Sequence, residues 1–359
     1  MKQKIFLLLT LIITLQISGC AHVALSQIPQ NRANYNLALN DSDNQQFLLN
    51  IVRIHYGLSP YFIGVDTITT QSTLTIGTGD NSQINTSPVD NGPTFWTLNP
   101  ELSFSQTPTI TYTPLQGNQF VSALLTTIPS TKISLLLDSG WSIDNVLQLT
   151  LSQIGNLENN TNLAKNTNSV DNNFTKFTRL LQSLYDQNLV DFQLTSSYAQ
   201  NNAILVTINN KEAAGQIAKL LDFKKTHDYI ILTRHYIKSE STPEFVIPIK
   251  TRSFYGIMNY LSGGITDQGL ALAKQQGLED RSSGSTNKNY AQNLFKVKIS
   301  NKEPSDNVLT KVSYEGQWFY ITNDDIASKS TLSLIRMIFS MQLGDINRSN
   351  LPIVTIPIR

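Results

Sequence analysis

Apolar residues recur along the chain with two different periods, and this predicts an alternation of helices and strands. Leu48 and Ile51 belong to a run at helical spacing, Ser42 has the side chain of an N-cap, and Gly57 suits the position after a helix. Together these features predict a first helix over residues 43–56.

The next two segments are rich in threonine, isoleucine and valine, with the alternation that strands show. Residues 62–78 are predicted to form a strand or hairpin, and residues 95–115 two further strands. The prolines at positions 100, 108 and 114 cannot donate to a strand ladder, so these two strands are expected at a sheet edge or at a bulge.

Helical periodicity returns after Asn118. One short helix is expected there, a second beginning near Pro129, and a third that is capped by Ser142 and extends to about Ile154. Residues 155–170 are too polar to build a core, so we interpret them as a loop or hinge between two modules.

The second half of the chain alternates helices and strands. Its clearest periodicity is the apolar stripe from Phe174 to Tyr185, and residues 263–291, rich in glycine, serine and asparagine, are expected to form a flexible excursion. The other predicted helices cover about 211–222, 252–262 and 329–343. The predicted strands cover about 189–195, 202–208, 229–237, 244–250, 293–299, 308–314, 317–322 and 353–358.

These elements predict an α+β fold with two modules. The N-terminal module, residues 34–155, would combine a helix and strands with short helices. The C-terminal module, residues 171–359, would be a mixed α/β unit with a long C-terminal helix and a final strand.

The N-terminus has the features of an export signal. Two lysines precede an apolar run over residues 5–15, which is shorter than the roughly 20 residues of a spanning helix. The residues Ile17-Ser18-Gly19-Cys20 follow, and they resemble the lipobox of bacterial lipoproteins. An ordinary secretory signal that happens to end near a cysteine is the alternative.

The lipobox resemblance implies cleavage between Gly19 and Cys20, which would remove a signal peptide at residues 1–19. It implies a diacylglycerol on the Cys20 thiol and an acyl chain on the new amine, with residues 20–33 as the lipidated tether. By the sorting rule of such lipoproteins, Ala21 favours the outer membrane, and the folded chain would face the periplasm.

Charge and composition exclude one class of partner. Removal of residues 1–19, with Lys2 and Lys4, leaves 25 basic residues against 26 acidic ones, so no basic surface for nucleic acid is expected. Asparagine, with 34 residues, outnumbers all acidic residues together. The polar surface is therefore expected to be hydrogen-bonding rather than ionic, which suits contacts with other proteins.

No pattern in the sequence predicts an active site. The four histidines are too dispersed to predict a metal site, and no serine lies in a Gly-x-Ser-x-Gly turn. Asp138 and Asp144 flank Trp141, but helix ends explain them better, and Asp324-Asp325 is typical of a helix start. We therefore predict that the chain is not an enzyme and has no metal and no cofactor beyond the lipid on Cys20.

Two groups of residues are candidates for an interface. The first consists of the amides Asn44, Gln45, Gln46 and Asn50, predicted along one side of the first helix, where a merely solvated face is the alternative. The second consists of Trp318 and Tyr320, which lie in the consecutive run Trp318-Phe319-Tyr320 of a predicted strand. Such a strand places rings on both faces, so one face can fill the core and the other must be covered by this chain or a partner.

Three blocks of sequence resemble, in the same order, those of a family of largely uncharacterised proteobacterial outer-membrane lipoproteins. They begin NLALNDSDNQQFLLNIVRIHYG, TPLQGNQFVSALLTTIPS and YEGQWFYITNDDIASKS. Some lipoproteins of this size and composition line the outer-membrane disc of Dot/Icm-type (type IVB) secretion machines.

The lipobox, the lack of an active-site pattern and this resemblance together favour a non-enzymatic structural or adaptor subunit of an envelope complex, with outer-membrane lipid and other envelope proteins as partners. A peptidoglycan- or glycan-binding lipoprotein is the alternative, and a periplasmic hydrolase is a further one.

Overall fold

The computed structural model describes nine parts of the chain, and they confirm the predicted α+β class. The predicted signal peptide, Cys20 and most of the 263–291 excursion lie outside the described residues. The described residues are 32–78, 100–159, 173–196, 202–234, 242–265, 291, 293–305, 307–344 and 354–357.

Helices and strands follow one another largely as the periodicity predicts. In chain order the helices are α1 (32–55), α2 (Asn118–Leu125), α3 (Ser130–Asp138), α4 (Ile143–Thr150), α5 (Asn173–Asp186), α6 (Lys211–Leu221), α7 (Phe254–Ser262) and α8 (Ile326–Leu343). The strands are β1 (Phe62–Thr78), β2 (Pro100–Leu115), β3 (Leu151–Ile154), β4 (Leu157–Glu158), β5 (Val190–Thr195), β6 (Ala203–Ile208), β7 (Tyr229–Thr233), β8 (Val246–Thr251), β9 (Lys298–Ser300), β10 (Val308–Tyr314), β11 (Gln317–Thr322) and β12 (Val354–Pro357).

The chain forms two compact units. The smaller comprises Tyr61–Phe120 and Ile346–Arg359, and the larger comprises Met1–Pro60 and Val121–Asp345. This division differs from the predicted modules 34–155 and 171–359. The reason is that β3, which precedes the predicted hinge, and β4, which lies within it, belong to the same sheet as the strands that follow the hinge.

In the smaller unit, β1 and β12 pair antiparallel with β2 on its two sides. The segment predicted to hold two strands contains one, which continues through Pro108. Strand β12 covers β2 only over Thr109–Tyr112, so Pro108 and Pro114 lie outside the stretch that is paired on both sides. The prolines are therefore tolerated in a central strand because each lies where only one side is paired.

The larger unit contains a six-stranded sheet in the order β4-β3-β8-β7-β6-β5, in which only the β7–β8 pair is parallel. Helices α3, α4, α5 and α6 bury apolar side chains beside this sheet. The predicted stripe of α5 is confirmed by Phe174, Phe177 and Leu181, which are fully buried, whereas its last predicted member, Tyr185, is exposed.

Helix α4 is shorter than predicted, and Leu151–Ile154 form β3 rather than its last turn. A contact distant in sequence explains where the helix ends. The Arg252 guanidinium donates hydrogen bonds to the carbonyl oxygens of Gln148 and Leu151, and the Arg252 backbone N–H donates to that of Thr150. The last carbonyls of α4 thus have an arginine as partner, which periodicity does not reveal.

Helix α1 begins well before Ser42, so the predicted N-cap is an exposed residue inside the helix. Arg336 of α8 stabilises this part of α1, since it contacts Asn40 and forms an ion pair with Asp43 at 3.1 Å. His55, near the end of α1, is buried, and its Nδ1 lies 3.1 Å from the carbonyl oxygen of Ser262.

A candidate interaction surface

Strands β9, β10 and β11 form a second sheet of the larger unit, in the order β10-β11-β9. The turn between β10 and β11 consists of Glu315 and Gly316, with φ angles of +48° and +75°. Positive φ at both central residues is the signature of a two-residue hairpin whose twist matches the flanking strands. The turn fixes the register, with Tyr314 opposite Gln317.

The alternation along β11 separates the three consecutive aromatic residues. Phe319 is fully buried, whereas Trp318 and Tyr320 are half-buried on the opposite face of the strand. The neighbours of these two residues are Ser313 and Ser300 across from Trp318, and Lys311 and Lys298 across from Tyr320. We call the face that carries Trp318, Tyr320, Lys311 and Lys298 the aromatic face.

Lys311 links the aromatic face to the segment before β10. Its ammonium lies 5.8 Å from the centroid of the Trp318 ring, 2.9 Å from a carboxylate oxygen of Glu303 and 2.9 Å from the carbonyl oxygen of Pro304. The cation is thus held beside the indole, where the interaction with the ring is favourable. The aromatic face therefore offers ring surface beside lysines and serines, a combination that suits apolar contact and hydrogen bonding together.

The buried side of the same sheet rests on the end of α1. The Tyr56 ring stacks on that of Tyr314, with centroids 5.6 Å apart and planes at 24°, and it meets the Phe319 ring edge-on at 6.2 Å. Burial raises the pKa of Tyr56 and of Tyr314, and the nearby Glu315 carboxylate raises both further. The stacked Tyr56 and Tyr314 rings thus pack the hairpin against the end of α1.

The sequence analysis did not identify two buried side-chain N–H donors near this hairpin. One belongs to Arg53 of α1, and the other belongs to Gln317 of the hairpin itself. The Arg53 Nε and the Gln317 Nε2 are buried, and neither has a hydrogen-bond acceptor among the described residues. Gln317 lies in the hairpin and Arg53 one helical turn before Tyr56. A polar residue on the inner face of a strand that otherwise buries Phe319 and Ile321 is the one sequence signal that points to them.

The four amides of α1 do not share a face, in contrast to the prediction. Asn44 and Asn50 are 6% and 1% exposed, Gln46 is half-buried, and only Gln45 is exposed. Asn44 accepts a hydrogen bond of 3.1 Å from Arg336. The helical period explains the difference, since a rotation of 100° per residue places position 44 on the same side as the apolar positions 48 and 51.

Of the two acidic residues beside Trp141, Asp144 joins two helices. An Asp144 carboxylate oxygen accepts hydrogen bonds from the Thr178 hydroxyl at 2.5 Å and from the Gln148 amide at 2.6 Å, which joins α4 to α5. The predicted role of Asp325 at a helix start is confirmed, because its carboxylate accepts from the backbone N–H of Ser328 at 3.0 Å.

Among the described residues, no group of three histidine, cysteine or acidic side chains could hold a metal ion. Within the same parts of the chain, no helix combines the length and the apolar character needed to cross a membrane. Comparison with protein-family models, with curated proteins and with solved structures found no match.

The carboxylate of Glu244, in the larger unit, gives a prediction for pH dependence. The backbone N–H of Lys224 donates to Glu244 at 2.7 Å, and the His227 ring lies 3.2 Å from the same carboxylate. These contacts, the backbone N–H most of all, lower the pKa of Glu244 below its ordinary value of 4.5. The stabilisation they give is therefore complete above that value and is lost as pH falls through the lower folded-state value.

We expect Glu244→Gln to lower the free energy of unfolding at pH 7 and to lower it progressively less as the pH is taken below 4.5. Urea denaturation of both proteins between pH 7 and pH 3 measures this difference. A cost that is the same at every pH would contradict the assignment of Glu244 as the titrating group.

Proposed function

We propose that this chain is a lipid-anchored outer-membrane protein that faces the periplasm and acts as a non-enzymatic structural or adaptor subunit of an envelope complex. The observation that carries the proposal is the aromatic face, where Trp318 and Tyr320 stand on a sheet whose other side is fixed by the buried Phe319. Aromatic side chains on a rigid support are the residues that most often dominate the energy of protein interfaces.

Two further features support a binding role over catalysis. The acidic residues that resemble a site in the sequence, Asp144 and Asp325, are engaged in hydrogen bonds that hold helices. The lipobox at Cys20 would concentrate the chain at a membrane, where an adaptor meets its partners. The outer-membrane disc of a type IVB secretion system is the most specific version of the proposal, and the family resemblance is what supports it.

We expect the double variant Trp318→Ala/Tyr320→Ala to lose its partners. Two aromatic anchors in an interface contribute enough that recovery of co-purifying envelope proteins should fall by about tenfold or more. The measurement is a pull-down from detergent-solubilised outer membranes with a C-terminal tag, quantified by mass spectrometry. Leu135→Ala/Met337→Ala is the matched control, because these two residues are also exposed and apolar but lie in α3 and α8.

The anchor is tested in the same experiment. Cys20→Ser is expected to leave the membrane fraction and to lose the same partners, while the control variant keeps them. Equal recovery from the aromatic variant and from wild type would contradict the role of the aromatic face. Wild-type protein that emerges without any partner would contradict the adaptor function as a whole.

The aromatic face also suits a second function, the binding of glycan. Trp318 is half-buried between Ser313 and Ser300, so a sugar ring stacked on the indole would find hydroxyl groups on both sides. Sedimentation with purified peptidoglycan separates the two functions. Glycan binding predicts that wild type sediments with it and that Trp318→Ala does not, without any protein partner in the pull-down.

A further inference from the structure

Among the described residues, strand β1 has an open edge beyond its bulge, from Thr67 onwards. It pairs with β2 along its whole length, from Phe62 opposite Leu115 to Thr78 opposite Pro100, and no other described strand pairs with its second side. Strand β12 covers β2 only as far as Thr109. The nine residue pairs beyond that point therefore form a ribbon of two strands, about 30 Å long.

A ribbon of two strands is marginally stable on its own in water, and a third strand is normally needed. The open edge of β1 is also poorly protected against such a strand. A bulge falls between Val65 and Thr67, and the exposed Asp66 adds a charge there, but both devices act only near the base of the strand. Residues 67–76, TITTQSTLTI, contain neither a charge nor a proline.

The sequence of this edge fits an antiparallel copy of itself. When the two copies are centred on Gln71, Thr69 comes opposite Thr73, Thr67 opposite Thr75 and Ile68 opposite Leu74. Threonine with threonine and aliphatic with aliphatic are favourable cross-strand pairs, and no like charges meet. The pairing also continues what β1 already does with β2, where Thr67 and Thr69 lie opposite Thr111 and Thr109.

We propose that two copies of this chain associate through β1, with residues 67–75 of each copy antiparallel and Gln71 on the two-fold axis. The result is a four-stranded sheet in the order β2-β1-β1-β2, with the same surface contributed by both copies. This contact uses none of the residues of the aromatic face, so either proposal can fail without the other.

Cysteine cross-linking of the full-length protein in its membrane tests the register. Gln71 is exposed, and on the axis its two copies are directly opposite, within the reach of a disulfide. Gln71→Cys is therefore expected to give a covalent dimer under mild oxidation. Thr69→Cys is the matched control, because its two copies lie four residues apart along the strands and cannot join.

Variants of opposite charge at position 71 distinguish a loss of dimer formation from misfolding of the variant. Gln71→Lys and Gln71→Glu, each alone, are expected to raise the dissociation constant of the dimer by about tenfold, and a mixture of the two should restore association. Native mass spectrometry or light scattering measures both in detergent, where the copies can exchange, and unchanged thermal melting excludes misfolding. The proposal is overturned if wild type is monomeric, if Thr69→Cys cross-links as well as Gln71→Cys, or if the cross-linked partner is a different protein.

Discussion

Replacement of Arg252 by methionine is expected to lower the free energy of unfolding by about 3–5 kcal/mol. The Arg252 guanidinium donates to the carbonyl oxygens of Gln148, Leu151 and Asn159 at 2.7, 2.6 and 3.0 Å, and it lies 4.2 Å above the Tyr260 ring. Methionine fills a similar volume but makes none of these bonds. The carbonyl oxygens of Gln148 and Leu151 keep the side-chain amide of Asn159 as a donor, at 2.7 and 2.9 Å. The cost is therefore that of losing three hydrogen bonds from a charged donor, each worth about 1.5–3 kcal/mol before solvent exposure reduces it.

Urea denaturation followed by circular dichroism measures this loss at neutral pH. Arg252→Lys is the informative control, because it keeps the charge but not the planar fork that reaches several carbonyls at once. We expect lysine to recover only part of the stability. A methionine variant within about 1 kcal/mol of wild type would mean that water replaces the guanidinium, and that the arginine does not determine the end of α4.

Truncation of Phe254 to alanine is expected to cost about 3–5 kcal/mol for a different reason. The Phe254 ring is fully buried, and its centroid lies 4.9 Å from that of Phe339 and 6.3 Å from that of Phe47. These three rings come from α7, α8 and α1. Alanine would leave a cavity where the three helices meet, so the cost includes lost ring contacts as well as lost burial.

Phe254→Leu is the control for cavity size, and we expect it to lose much less than alanine does. Thermal and chemical unfolding of both variants measure the difference. Alanine and leucine variants of equal stability would contradict the cavity argument, since only the volume left behind distinguishes them.

The periodicity of apolar residues was sufficient to predict most helices and strands. It succeeds for elements whose position in the fold is determined by the burial of one apolar face. In α5 the apolar stripe that predicts the helix is the side that is buried. In β11 the alternation predicts that one ring of three fills the core, and Phe319 does so. Periodicity succeeds here because a single face of each element meets the core.

Periodicity does not predict features that depend on a contact with a residue distant in the sequence. Helix α4 ends at Thr150 because Arg252 binds its last carbonyls, and nothing near residue 150 signals an arginine about 100 positions away. The amides of α1 were assigned to one face, yet Asn44 is buried against Arg336 of α8. Polar residues on a buried side are satisfied by tertiary contacts, which a pattern of polarity does not reveal.

The candidate surface was predictable only in part for a related reason. The sequence identifies Trp318 and Tyr320 as rings outside the core. It does not identify Lys311 and Lys298 as their neighbours, because those positions meet Tyr320 only through the register that the Glu315–Gly316 turn and the β9 pairing impose.

The contact between Arg336 and the first helix also has a consequence for the order in which the protein is made. It joins positions separated by 292 residues along the chain, so α1 is synthesised first and is among the last elements to dock. Contacts of such long range slow folding, and they leave the Phe47 ring of α1 without its Phe339 neighbour until α8 has been completed. A chain terminated before α8 would keep this apolar surface of Phe47 exposed, and proteases that degrade incomplete chains would recognise it.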